Sequence, residues 1–371
     1  MVNKERMLKE FIELVKTDSL SLKERKMADI LKSKLSDIGL SVYEDEAGKK
    51  AGGDAGNLIS FVKGTKNVSP VLLMAHMDTV VPGINKKPVI EGDMIKTDGT
   101  TVLGGDDAAG IECILETARA LKEENIEHGD IYIVFTIAEE IGLLGAKNLD
   151  YTKIKAKYGF VMDDGGRIGT VSVNAPSQNR IYVAVKGKAA HAGMEPEKGI
   201  SAVQIASEAV YNMRLGRIDW ETTANIGRIN GGQATNIICD KVEIEAEARS
   251  RDEKKLKEQT EHMRQCFEQA ADKFGGSIEF RSEMVYPAFK VKENDFIISI
   301  LKKAAAKTGI ELGMEDTGGG SDTNIINSKG IQSVDVSVGM DKVHSVEEQI
   351  CIDDMVKAAE FLVAAIELVE D

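Results

Sequence analysis

Four short apolar runs constrain this 371-residue chain more than any other feature: Leu58 to Val62, Val71 to Ala75, Ile131 to Thr136 and Tyr158 to Met162. Unbroken runs of five or six residues suit strands buried on both faces, because a half-buried strand would alternate apolar with polar. A helical stretch from Ala108 to about Lys122 separates two of them. Strands alternating with helices argue for an α/β layer architecture. The first 40 residues read as two helices. Ser21 and Glu24 have the S-x-x-E spacing of a capping box, and Met27, Ile30, Leu31, Leu35 and Ile38 then recur at helical spacing.

The pattern changes near Pro176. Arg180 to Lys188 alternates like a strand, Gly199 to Met213 is helical, and Thr223 to Ile229 and Lys241 to Ser250 read as strands. Glu253 to Phe274 is a long helix, followed by strand-like Ser277 to Val285. The order β-α-β-β-α-β is that of the ferredoxin-like unit. After Tyr286-Pro287 helix and strand signals resume, ending in the helix Ile352 to Val369. The expected organisation is one α/β domain (1–176 and 287–371) interrupted by a ferredoxin-like module (177–286).

Acidic residues and histidines gather where the expected strands end. VLLMA leads into His76-Met77-Asp78, IYIVFTIA ends at Glu139-Glu140, and YGFVM ends at Asp163-Asp164. The loop LGGDDAAG presents Asp106 and Asp107 just before a helix, and His344 follows the strand-like stretch Ser333 to Val338. In open α/β sheets ligands bind beyond the carboxyl ends of the strands, so these groups can converge on one crevice. Neutral imidazoles with several carboxylates form the donor mixture that Zn²⁺, Co²⁺ or Mn²⁺ accepts. A carboxylate shared by two metals lets them sit about 3.5–4 Å apart, the spacing of dinuclear hydrolases. Of two adjacent glutamates, one can ligate while the other takes a proton from water. Singly, a His-x-Asp is more often a turn and an acidic doublet a solvated cap. Four such features at four strand ends resist that explanation, because burying so many carboxylates without cations is unfavourable.

The order His-x-Asp, Asp-Asp, Glu-Glu, Asp-x-x-Gly and a late His resembles the dinuclear-zinc peptidase superfamily, which includes peptidase T, carboxypeptidase G and the aminoacylases. AHMDTV, GGDDAAGI, FTIAEEIGLLGA and KAAHAGMEPEKG look closest to peptidase T and its tripeptidase-like relatives. The resemblance spans almost the whole chain. It implies a metallopeptidase domain with a mixed sheet flanked by helices, interrupted by a ferredoxin-like lid and dimerisation domain. It further implies that His76 and Asp163 ligate one metal, Glu140 and His344 the other, and that Asp106 bridges them. Asp164 is the alternative to Asp163, which directly follows the apolar run. Glu139 would be the general base, and Asp78 would orient His76 from behind. In the lid, His191 would reach a partner subunit's active site, while Asn236 and Arg249 match the family's contacts to the substrate carboxylate, for which the planar guanidinium fork is suited. Two departures stand out. Ala108 follows the Asp-Asp pair where many relatives have Lys, and the span from Asp78 to Asp106 is shorter than in typical peptidase T; both bear on tripeptide selectivity more than on hydrolysis.

The expected activity is release of the N-terminal residue from short peptides, tripeptides foremost, with two divalent ions, zinc by preference. An N-acyl amino-acid amidohydrolase of the same superfamily is the alternative. A binding module without catalysis fits less well, since a binder needs no general base. Composition trims the remaining classes. With 47 basic and 61 acidic residues interspersed, the net charge is −14, which disfavours nucleic acid and anionic membrane as partners. No stretch approaches 18 uninterrupted apolar residues, and MVNKERMLKEFIELV lacks the apolar block of a secretory signal, so a cytoplasmic protein is expected; the resemblance and the lid imply a homodimer. Cys113, Cys239, Cys266 and Cys351 show no CxxC spacing and read as fillers. TGGGSDTN (317–324) lacks a Walker Lys and suits close approach to a peptide. His128 and His262 read as solvated.

Overall fold

In the computed structural model, which describes residues 2–370, the four apolar runs lie side by side in a twelve-stranded mixed sheet. Ile131–Thr136, Val71–His76, Tyr158–Gly165 and Gln332–Asp341 are mutually parallel in that order. Leu58–Val62 adds antiparallel at one side, and the short strands Gln349–Cys351, Met94–Lys96 and Val89–Glu91 continue the other. The α/β reading with a mixed sheet flanked by helices therefore holds. Every residue of Val71–His76 and of Ile131–Thr136 is buried, as their unbroken apolar sequence requires. The helix Gly105–Glu123 packs on the Val71–His76 and Tyr158–Gly165 strands and is buried at every residue from Gly105 to Ala118. Gly110 lets it come close: a Cβ there would run into the Met162 carbonyl.

The chain divides into two compact units: Met1–Val173 with Lys290–Asp316 and Ser321–Asp371, and Asn174–Phe289 with Thr317–Gly320. The second unit holds a five-stranded antiparallel sheet in which Thr222–Gly231, Lys241–Ser250, Ser177–Lys186 and Ser277–Tyr286 lie in that order. With the helices Ala202–Asn212 and Glu253–Phe274 this is the β-α-β-β-α-β order of the ferredoxin-like unit. Its strands alternate: Ile181, Val183, Val185, Val242, Ile244 and Ala246 pack under the two helices, with Ile205, Met263 and Phe267. Arg180, Tyr182, Glu243, Glu245 and Glu247 occupy the other face. A fifth strand, Gly216–Arg217, covers only Thr223 and Ala224 of its neighbour.

Two local expectations are corrected. Ser21 and Glu24 form no capping box; the helix begins at Arg25 with no side-chain cap, and both side chains are drawn into tertiary hydrogen bonds. His128 is buried, with Nδ1 2.7 Å from the Gly129 carbonyl, and its own carbonyl accepts from Thr65 and Lys66. His262 is half-buried, its Nε2 accepting from the Arg214 N–H.

Candidate metal centre

Parallel strands end on the same edge, so His76, Glu139-Glu140, Asp163 and the approach to His344 all emerge there. Register sharpens this. Val71 pairs with Tyr158 and Met74 with Val161, which carries His76 level with Asp163. Asp106 and Asp107 arrive from the buried helix start at Gly105, after the left-handed Gly104. Glu348 anchors that turn by accepting the Gly104 and Asp106 N–H groups at 2.9 and 3.0 Å.

Asp106 stands between two imidazoles. Its Oδ1 lies 2.9 Å from His76 Nε2 and its Oδ2 lies 3.1 Å from His344 Nε2. Asp163 Oδ1 is 3.6 Å from His76 Nε2, and Glu140 Oε1 is 2.9 Å from His344 Nε2. Two groups result: His76 with Asp163, and His344 with Glu140, sharing Asp106. Asp164 turns elsewhere, accepting from Ser172 Oγ (2.6 Å) and from the Gly165 N–H. Asp78 faces His76 Nδ1 at 3.5 Å and also accepts the backbone N–H of Glu139 (2.9 Å) and Glu140 (3.3 Å). Glu139 itself is buried.

The electrostatics fit a cation site. Burial raises the Asp163 carboxyl to about 7 despite His76, and burial followed by Asp163 raises Glu139 well above the carboxylate range. Burial would also raise Asp106, but His344 and His76 outweigh it and hold it low. Hydrogen bonds to Asp106 and Glu140 push His344 up to about 10; His76, though burial opposes its charge, is held high by Asp163 and Asp106. Crowded carboxylates thus pull protons onto both rings. A divalent cation answers the same demand without protonation, and the donor set of imidazole and carboxylate suits one. The ligand atoms of His76, Asp106 and Glu140 lie within 4.8 Å of one another, as do those of His76, Asp107 and Asp163.

These features meet a matching family: residues 72–368 fit the model of peptidase family M20/M25/M40. The chain belongs to that family. An aminopeptidase PepT from Bacillus cereus ATCC 10987 is 45% identical, covers 99% of both chains and superposes with a TM-score of 0.91. A tripeptidase from Staphylococcus aureus subsp. aureus Mu50 is 42% identical over 100% of this chain and 99% of its own, with a TM-score of 0.95. A Bacillus subtilis (strain 168) protein, YqjE, is 50% identical over 367 residues, 99% of each chain. This M20 chain is a metallopeptidase. The cluster around Asp106 is the candidate metal site of this chain.

The remaining residues singled out from sequence lie in the second unit. His191 is in an exposed loop, its Nδ1 accepting from the Gly193 and Met194 N–H groups at 3.2 and 3.1 Å. Asn236 lies in the loop beside it: the Ala192 N–H donates to the Asn236 carbonyl and the Ile238 N–H to the Ala190 carbonyl. Arg249 is held in a bidentate pair, Nε and Nη2 each 3.0 Å from Glu247, which also accepts from Gln178. Near the metal-site strands lie three buried acids to which sequence reasoning gave no role: Asp107, noticed beside Asp106, and Asp322 and Glu348, not singled out. Asp107 accepts the N–H groups of His76 and Gly110 (3.1 and 3.0 Å), Asp322 accepts from Thr136 Oγ1 (2.5 Å), and Glu348 holds the Asp106 turn. Adjacency to Asp106 was the available signal for Asp107; for Asp322 and Glu348 the partners lie 186 and 242 residues away.

Proposed function

We propose that this chain releases the N-terminal residue of short peptides, tripeptides foremost, in a homodimer in the cytoplasm. The observation that carries this is the division of the Asp106 carboxylate, one oxygen toward His76 and the other toward His344. His76 and Asp163 would hold one divalent ion, His344 and Glu140 a second, with Asp106 common to both; zinc is the first candidate, cobalt and manganese the others. The turn of Asp164 toward Ser172 favours Asp163 as the ligand. Such ions supply Lewis acidity to a scissile carbonyl and make a nearby water more acidic. Glu139, buried and raised in pKa, takes the proton from the attacking water and passes it to the departing amine. Asp78 faces the Nδ1 side of the His76 ring and would orient it, and through two backbone N–H groups it fixes the Glu139-Glu140 segment.

The 177–286 segment acts as lid and dimerisation domain. Val203, Ala206, Val210, Tyr211, Ile229 and Val242 line an apolar groove there, and the strand Thr222–Gly231 runs on past its short neighbour as an open edge. Both features suit a two-fold partner. His191 stabilises the developing oxyanion in the other subunit's site, and Asn236 and Arg249 contact the substrate carboxylate. The test is a panel of di-, tri- and N-acylated peptides with metal-reconstituted protein, sized in parallel by light scattering. Tripeptide cleavage abolished by chelation and restored by Zn²⁺, Co²⁺ or Mn²⁺ supports the reading; exclusive cleavage of N-acyl amino acids replaces it with the amidohydrolase.

A further inference from the structure

Glu24 is fully buried, and none of the chemistry above uses it. Its Oε1 accepts two backbone N–H groups, Leu22 at 2.7 Å and Ala138 at 3.0 Å. Ala138 immediately precedes Glu139 and has φ +49°, in the left-handed region that alanine rarely adopts. The next two N–H groups, of Glu139 and Glu140, end on Asp78. Three consecutive amides, 138 to 140, are therefore gripped by two buried carboxylates. Ser21 donates to Asp78 Oδ2 at 2.6 Å, so the segment Ser21 to Glu24 braces both of them.

A helix cap would be the bland role for Glu24, which directly precedes the helix Arg25–Ile38. Its carboxylate caps nothing there. It reaches instead across 114 residues to the amide of Ala138. Burying a carboxylate for one remote amide is unfavourable, and burial followed by the field of Asp78 raises Glu24 to about 7. A left-handed alanine persists where neighbouring contacts over-determine it. The bond to Ala138 does that at the residue from which the Glu139 side chain takes its direction.

We infer that Glu24 is a positioning residue for hydrolysis, setting the Glu139 carboxylate by tethering the Ala138 amide; this rests on the reading of Glu139 as the base. E24Q keeps the length and an acceptor oxygen, whereas E24D retracts the acceptor by one methylene and E24A removes it. With metal content matched to wild type, E24Q stays within about threefold in kcat, while E24D and E24A lose about 10- to 100-fold in kcat at unchanged KM, the scale of a small misplacement of a reacting group. If E24A does not fold, E24D and E24Q decide between them. A double-mutant cycle isolates the route: against the residual turnover of E139Q, E24D causes no further loss, because its effect passes through Glu139. Full kcat in E24D, or the same fractional loss with and without Glu139, overturns the inference while E139Q remains impaired. E139Q with wild-type turnover overturns the base assignment and the inference with it.

Discussion

In the larger unit the strands Val71–His76 and Ile131–Thr136 are buried at every residue, whereas in the smaller one Lys241–Ser250 alternates buried with open positions along its length. The first pattern belongs to parallel strands covered on both faces, the second to an antiparallel sheet with helices on one face. Chemistry follows burial. Where both faces are covered, a polar group inside a strand needs buried partners of its own, and the rest gather at the strand ends, where His76, Glu139, Glu140 and Asp163 are enclosed and strongly perturbed. Where one face is open, Arg228 with Glu245 and Lys241 with Glu243 form exposed pairs that add little to stability.

Substitutions can break or sharpen this contrast. The largest effect is expected at the enclosed end. Glu139→Gln keeps its metals and loses about 10²–10⁴-fold in turnover, the scale of general-base catalysis. His191→Ala, in the open unit, also keeps its metals and loses about 10²-fold. Co-assembling the two inactive chains rebuilds one site with both wild-type residues, so activity recovers on mixing; a fully active monomer would contradict the exchange. For stability, Phe135→Ala opens a cavity in a fully buried strand and is expected to destabilise by about 3–5 kcal/mol. Glu245→Ala, on the open face, stays within about 0.5 kcal/mol. Urea unfolding of both variants measures the difference, and equal losses would erase the contrast.

A modest, pH-dependent effect is expected at Glu44. Burial works to raise its carboxyl, but hydrogen bonds from Arg25 (2.7 Å) and Lys32 outweigh it and hold it at about 2, against an ordinary value of 4.5. A depressed carboxyl stabilises the fold above its unfolded pKa and loses that contribution as pH falls toward its folded one. The stability advantage of wild type over Glu44→Gln, about 1 kcal/mol at pH 7 after discounting for solvent, should shrink as pH drops from 4.5 toward 2. An advantage that grows on acidification would contradict the pairing.

The contrast also explains what the sequence made legible. Strands covered on both faces spell themselves as unbroken apolar runs, and polar residues at their ends stand out, which is how His76, Glu139, Glu140 and Asp163 were found. The alternating module was legible for the complementary reason. Ser21 and Glu24 were misread because capping-box spacing is a local signal, and partners 57 and 114 residues away took those side chains instead. Asp335 sits inside the run VDVSV, where nothing nearby hints that Ser321 and Thr323 will satisfy its carboxylate. The hairpin of Val89–Glu91 and Met94–Lys96 is too short to carry a period. The division of Asp106 between two imidazoles is a property of geometry alone, implied in advance only by resemblance.

That division is the centre of the account, and metal stoichiometry tests it most directly. Elemental analysis of dialysed wild type, His76→Ala, His344→Ala and Asp106→Ala should give two ions in the first, about one in each histidine variant, and fewer than either in Asp106→Ala, because one carboxylate serves both positions. If all three variants lose one ion equally, Asp106 does not bridge and the two-group arrangement is wrong.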